Sequence, residues 1–188
     1  MKRKIFRFFL FLLLLVLCYG VWYAWRAFPI ISGYGAKNMA SAVFIQHRDP
    51  VDVLKEDLGS FPLSLAKFHV TYYDSSVTAS VWGFTKKRAI FRKGIGCTLI
   101  NDIPEKEVRA QYFSVPDIAN DGGSLPWPQG DSLYDPIPPQ INQKELNDAI
   151  DYAMNFSDTN NKSAYTRAVM VLYDGKIIGE KYAPGFTK

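Results

Sequence analysis

Residues 5–25 are apolar or aromatic at every position except Arg7, a run of about 20 residues that spans roughly 30 Å as a helix. That is enough to cross a bilayer. The pattern then changes. Gly33, Gly35, Ala36, Ala40 and Ala42 crowd a small-residue stretch, read as a turn at Gly33-x-Gly35 leading into a helix. Next, Asp49-Pro50 opens a short helix that Gly59 closes, with Asp49 as N-cap and Val51, Leu54 and Leu58 as its buried stripe.

From Lys67 the period falls to two. Phe68, Val70 and Tyr72 alternate with His69, Thr71 and Tyr73, and strands over 77–83, 88–92 and 95–100 follow across polar or glycine-containing breaks. These segments predict an antiparallel meander. Regular patterning fades from Pro104 to Gln140, where Gly122, Gly123, Pro126, Pro128, Pro136, Pro138 and Pro139 give a rigid, irregular connection. Beyond it, Asn142-Gln-Lys-Glu145 has capping-box spacing, and Leu146, Ala149, Ile150, Ala153 and Met154 share one helical face.

Two β-prone runs, Ala168–Tyr173 and Lys176–Tyr182, flank Asp174-Gly175, a pair suited to the positive φ angles of a type I′ turn. This is a strong hairpin signal. Because 168–173 is apolar at every position, the strand is patterned for cover on both faces, one of them by a helix. One hairpin cannot supply that cover, so without a larger sheet these strands are expected to be exposed and liable to associate. A lone hairpin is marginal in water. Only Thr187 and Lys188 follow Phe186, so the chain is expected to stop inside a domain. The predicted fold class is α+β: an N-terminal transmembrane helix, a small antiparallel β-meander with short helices, then a helix and β-hairpin that begin an incomplete domain. The expected divisions are 1–28 for the cytoplasmic start and anchor, 29–120 for a small α+β region, 121–140 for the connection and 141–188 for the incomplete domain.

Charge sharpens the anchor and removes one class of partner. The formal net charge is +4, but Lys2, Arg3, Lys4 and Arg7 hold four of the 22 basic residues, leaving 18 against 18 acids. The body is neutral. A nucleic-acid partner is therefore not expected, since no basic patch with interleaved aromatics remains. Basic residues before the apolar run and Tyr19, Trp22, Tyr23 and Trp25 at its far end predict a cytoplasmic start and an aromatic belt at the outer interface. A cleaved signal peptide is the rival reading, but the aromatic stretch offers no good small-x-small cleavage site. The body is expected to face the periplasm or exterior of a bacterial inner membrane, held by a single pass.

Candidate chemistry is sparse. Cys18 falls in the apolar run and Cys97 in a strand, neither with metal or redox spacing, and His47 and His69 are isolated. No metal or cofactor is expected. Ser64-Leu-Ala-Lys67 has the Ser-x-x-Lys spacing in which one helical turn brings a lysine amine to a serine nucleophile. Its context is wrong. Pro62 precedes it and strand patterning begins at Phe68, so no helix holds the pair on one face. Tyr152-Ala-Met-Asn155 has one residue too many for a Tyr-x-Asn element, and Asp148 and Asp151 read as a solvated helix face.

Several strings together resemble the amino-terminal part of a bacterial serine hydrolase family related to class C β-lactamases and penicillin-binding proteins. They are Gly33-Tyr-Gly-Ala36, His47-Arg-Asp-Pro50, Val53-Leu-Lys-Glu-Asp-Leu58, Arg92-Lys-Gly-Ile-Gly-Cys-Thr-Leu99, Leu125-Pro-Trp-Pro-Gln-Gly130 and the segment from Arg167 through Tyr182-Ala-Pro-Gly-Phe186. The resemblance implies that the closing hairpin begins the antiparallel sheet of a β-lactamase-like domain, after a leading helix. It also implies that the catalytic Ser-x-x-Lys lies beyond Lys188, so that no catalytic residue is assigned here and the chain is inactive as it stands. The implied chemistry is metal-free acyl transfer through a serine ester, on a small amide or ester substrate. Two other readings stay open: a complete, membrane-anchored, non-catalytic module that binds a cell-envelope partner, and a small hydrolase using Ser64.

Overall fold

Residues 2–112, Leu125, Gly130, 137–159 and 161–187 are described by a computed structural model of the chain. Contacts divide it into two units, Met1–Val115 and Pro116–Lys188. In the first, helix α1 (Lys2–Phe44) is followed by α2 (Pro50–Glu56), a 3-10 turn (Leu63–Leu65), strands β1 (Ala66–Thr71), β2 (Ser76–Val81), β3 (Phe84–Arg92) and β4 (Gly96–Ile100), and α3 (Glu105–Ala110). The four strands form one antiparallel sheet in the order β1-β2-β3-β4. The α+β class and the meander are as the sequence predicts.

α1 departs from expectation. The sequence places a turn at Gly33-x-Gly35, but 43 residues run as one helix, about 64 Å long, straight through Pro29. Its two halves live in different surroundings. Side chains 3–22 are exposed throughout, whereas Ala36, Met39 and Ala40 are fully buried against the sheet. The glycines explain the fit. A Cβ on Gly35 would lie 2.6 Å from the Phe68 ring, and one on Gly33 would lie 3.2 Å from Leu99 Cδ2. These residues let the helix axis approach the sheet closely, which offsets the roughly 1 kcal/mol that a mid-helix glycine costs.

The register assigns the faces. Val70–Val77–Ala89–Leu99 form one cross-strand row and Phe91–Cys97 pair beside it; these residues pack in one core with Met39, Val43, Val53 and Leu58. Cys97 thus sits in that core as a small apolar strand residue. Burial pushes its thiol up, only partly offset by Ser41 and Lys37, which leaves it a poor nucleophile. The opposite face carries Thr78, Arg88, Ile90, Arg92 and Thr98, and Ile90 on it is fully buried. α3 lies over this second face. Its Val108 is buried, and its Val108 carbonyl accepts from Arg92 Nη1 at 2.9 Å.

α2 corrects a predicted stripe. Asp49 does cap it, its side chain accepting from the Val51 N–H at 2.7 Å, but Val51 is 70% exposed and Leu54 41%, while Val53 and Leu58 are buried. The helix ends at Glu56, and the Leu58 N–H bonds the Val53 carbonyl five residues back. That wider closing turn rotates Leu58 onto the face of Val53 rather than that of Leu54. Arg48, with a side chain only 9% exposed, pairs with both Glu56 and Asp57 and fixes the rotation.

In the second unit, α4 (Gln143–Met154) is followed by the hairpin β5 (Ala168–Tyr173) and β6 (Lys176–Tyr182). The Asn142 side chain accepts from the Lys144 and Glu145 N–H groups, as capping-box spacing requires. Asp174 and Gly175 have φ of 47° and 71°, the type I′ geometry. α4 packs on the hairpin: a Cβ on Gly179 would fall 2.8 Å from Ile150 Cδ1 and 3.5 Å from Leu146 Cδ2.

Candidate functional site

Ser64 and Lys67 occupy different elements. Ser64 lies in the 3-10 turn, which the cis Phe61–Pro62 bond precedes, its N–H bonded to the Ser60 carbonyl, and Lys67 is already inside β1; both are exposed. A 3-10 turn running into an extended strand cannot stack the hydroxyl and amine as a helical turn does. Ser64 is not a nucleophile–lysine site in this structure.

The other singled-out groups are equally separate. Asp148 pairs with Lys144 at 2.8 Å on the exposed side of α4, and Asp151 pairs with Lys181 of β6. Tyr152 is 70% exposed and stacks edge-on with Phe156, while the Asn155 amide caps its own helix by donating to the Asp151 carbonyl. His47 and His69 are exposed in different elements. Among the described residues no three His, Cys, Asp or Glu come within metal-binding reach of one another. A recess of about 410 Å³ between α4 and β6 is lined by Gln143, Asn147, Asp151, Glu180 and Lys181 beside three isoleucines, and among the described residues no serine, threonine or cysteine faces it.

The sequence missed one polar cluster. On the second face of the meander, Arg88 reaches Asp74 through Nη2, Glu105 through Nε at 2.8 Å and Thr78 through Nη1 at 3.2 Å, and Arg109 bridges Glu105 at 2.8 Å and the Asp74 carbonyl at 3.0 Å. The Ser76 hydroxyl above all, with Arg88 and Arg109 and against the opposing pull of burial, holds the Asp74 carboxyl below its ordinary value. Every acid here has a base. The cluster fastens α3 to the sheet and offers no free cation to a ligand. Its signal was Pro104 followed by Glu105, Glu107 and Arg109, the charge order of a short helix.

A folded value below the ordinary one gives stability that is present above the unfolded value, near 3.8, and lost as pH falls through the folded value. The first unit is therefore expected to open more readily as pH drops below about 4. Asp74→Asn should weaken it at neutral pH and flatten that acid-side loss. Amide exchange in β2 and β3 across the pH range checks this, and an unchanged acid profile in the variant would assign the acid sensitivity elsewhere.

Two apolar features remain exposed among the described residues. One is the exposed half of α1, which is long and apolar enough to cross a membrane and has no buried side chain over residues 3–22. The other is β5. Its pattern asks for cover on both faces that one hairpin cannot supply, and Met170 and Leu172 accordingly alternate outward at 44% and 46% exposure. β5 pairs only with β6, so its far edge carries unmatched backbone donors and acceptors among the described residues. Comparison with known protein families, with characterised proteins and with solved structures finds no match.

Proposed function

We propose that this chain is the membrane-anchored leading part of a β-lactamase-like serine hydrolase, in which β5 and β6 open the sheet of the acyl-transfer domain. The observation that carries this reading is the hairpin itself. Its turn is formed, α4 is seated against Gly179, and yet the outward row with Met170 and Leu172 and the β5 edge are patterned for further sheet. The reaction would be attack of a serine on an amide or ester carbonyl, release of the leaving group, then hydrolysis of the serine ester by water. The serine and its lysine would come from a Ser-x-x-Lys helix shortly after Phe186. Reading the coding sequence past Lys188 tests this at once. Such a motif at the start of an amphipathic helix is expected; a natural stop codon there would sink the proposal.

A second reading is favoured by one observation: the meander has its own core against α1, and α3 is fastened over part of its other face. A complete, non-catalytic module that binds a cell-envelope partner would look like this. It requires the stop codon, and cooperative melting of the chain without its apolar run.

Under either reading we place the chain in a bacterial inner membrane by a single pass, with everything after the span outside the cytoplasm. The support is Lys2, Arg3, Lys4 and Arg7 before the span and aromatic residues after it. Tyr73 is 91% exposed, Cys18 lies in the span and Cys97 is buried, so Tyr73→Cys gives a single accessible thiol outside the span. A membrane-impermeant maleimide is expected to label it in intact spheroplasts. Labelling only after lysis would reverse the topology.

A further inference from the structure

We propose that the end of the first unit nearest the span sits in the headgroup layer of the bilayer that α1 crosses, with Phe61, Trp82 and Phe84 inserted among the lipids. The inference rests on α1 being a membrane span and adds how the folded body sits on that membrane. Helix continuity fixes the distances. Because α1 is unbroken through Pro29, Phe28 lies three residues beyond Trp25, about 4.5 Å along the axis. Each interfacial layer is roughly 5–8 Å deep. With Trp25 at the edge of the hydrocarbon, a side chain touching α1 at Phe28 lies in the headgroup layer, and one touching Tyr23 or Ala24 lies at its inner edge.

Two loops touch it there. The Trp82 ring meets Phe28 edge-on, with centroids 5.2 Å apart, and Phe61, Pro62 and Leu65 line an apolar groove of about 380 Å³ with Tyr23, Ala24 and Ala27. Yet Phe61, Trp82 and Phe84 remain 80%, 64% and 66% exposed. In water these are large apolar surfaces left mostly uncovered among the described residues. In an interfacial layer they match the place where tryptophan and other aromatic rings are enriched. The surface is continuous with the apolar half of α1, which is what identifies its occupant as lipid.

Local strain points the same way. Trp82 and Thr85 have φ of 51° and 47°, a region that bulky and β-branched residues seldom adopt. Asn or Gly would suit the first position of the Trp82-Gly83 turn better. A tryptophan held there, projecting outward from the hairpin tip, is placed for contact rather than for folding. Arg26, one residue beyond Trp25 and with its guanidinium 5.9 Å from the centre of the Trp22 ring, supplies a cation at this depth.

Two single-tryptophan proteins test the seating. The full chain is reconstituted in phosphatidylcholine–phosphatidylglycerol vesicles, with Trp22, Trp25 and Trp127 replaced by Phe to leave Trp82, or with Trp25, Trp82 and Trp127 replaced to leave Trp22. Lipids brominated near the glycerol end of the acyl chain are expected to quench Trp82, and aqueous iodide to quench it far less than free tryptophan. If Trp22 is quenched by bromolipid while Trp82 is not and iodide reaches it freely, the seating is overturned and the span survives. If neither is quenched, the span is wrong and the seating falls with it. A spin label on Phe84→Cys in a Cys18→Ser background reads depth without changing any tryptophan, since Cys97 is buried. It should be relaxed more by oxygen than by a water-soluble nickel complex; the reverse order contradicts the proposal.

Discussion

Met39→Ala is expected to destabilise the first unit by about 2–5 kcal/mol, the range for deleting a large buried side chain whose site cannot collapse. Met39 is fully buried on the part of α1 that faces the sheet, in one core with Val77, Ala79 and Ala89. Those neighbours are short side chains on a rigid sheet, so little can move in to fill the void. Ile45 lies six residues on, is 48% exposed and serves as the control; its alanine variant should stay within about 0.5 kcal/mol of the parent. Amide exchange of β2 and β3 in the full chain, held in mild detergent, measures both. Equal effects at the two positions would mean that α1 is not the core helix of this unit.

The paired change Leu12→Arg and Leu15→Arg carries the largest effect on the anchor. Each arginine near the middle of a span costs about 2.5–3.5 kcal/mol and each lost leucine a further few tenths, giving roughly 6–8 kcal/mol together. Both positions lie in the exposed half of α1, 47% and 50% exposed, so no core packing is disturbed. Alkaline carbonate extraction of membranes is the measurement. The parent should remain in the pellet and the double variant should move to the supernatant. Retention of the variant would show that something other than the helix holds the chain to the membrane.

Seen against the fold, the legible parts of the sequence were those set by local chemistry. The Asp174-Gly175 turn, the Asn142 cap and the alternating strands of the meander depend on neighbours within a few residues, and each is present. What was not legible depends on partners far along the chain. Gly33-x-Gly35 reads as a turn because glycine frees the backbone, but here it removes side chains that would strike Phe68 and Leu99. β2 was expected to run on to Gly83 and β3 to start at Arg88. The chain instead turns at Trp82-Gly83, since Trp82 can adopt a positive φ that its residue type disfavours. α3 was lost in a stretch without periodicity because six residues are too few to show one, and the ion pairs to Arg88 and Asp74 hold it in place. The connection over 121–140 lies mostly outside the described residues.

The local structure around Ser64 was legible for a physical reason. Strand periodicity beginning at Phe68 already ruled out the helix that Ser64 and Lys67 would need, and β1 starts at Ala66. The exposed β5 face is what the apolar pattern implies for a hairpin without further strands. An all-apolar strand is built for cover on both sides, and Met170 and Leu172 show where cover is wanting among the described residues.

The acyl-serine proposal is tested most directly by labelling the product of the natural gene, in its own membranes, with a fluorescent fluorophosphonate or β-lactam. The predicted result is a labelled membrane protein distinctly larger than 21.3 kDa, whose label disappears when the serine of its Ser-x-x-Lys helix is changed to alanine and persists in Ser64→Ala. A membrane product of 21.3 kDa that takes up neither probe would contradict it.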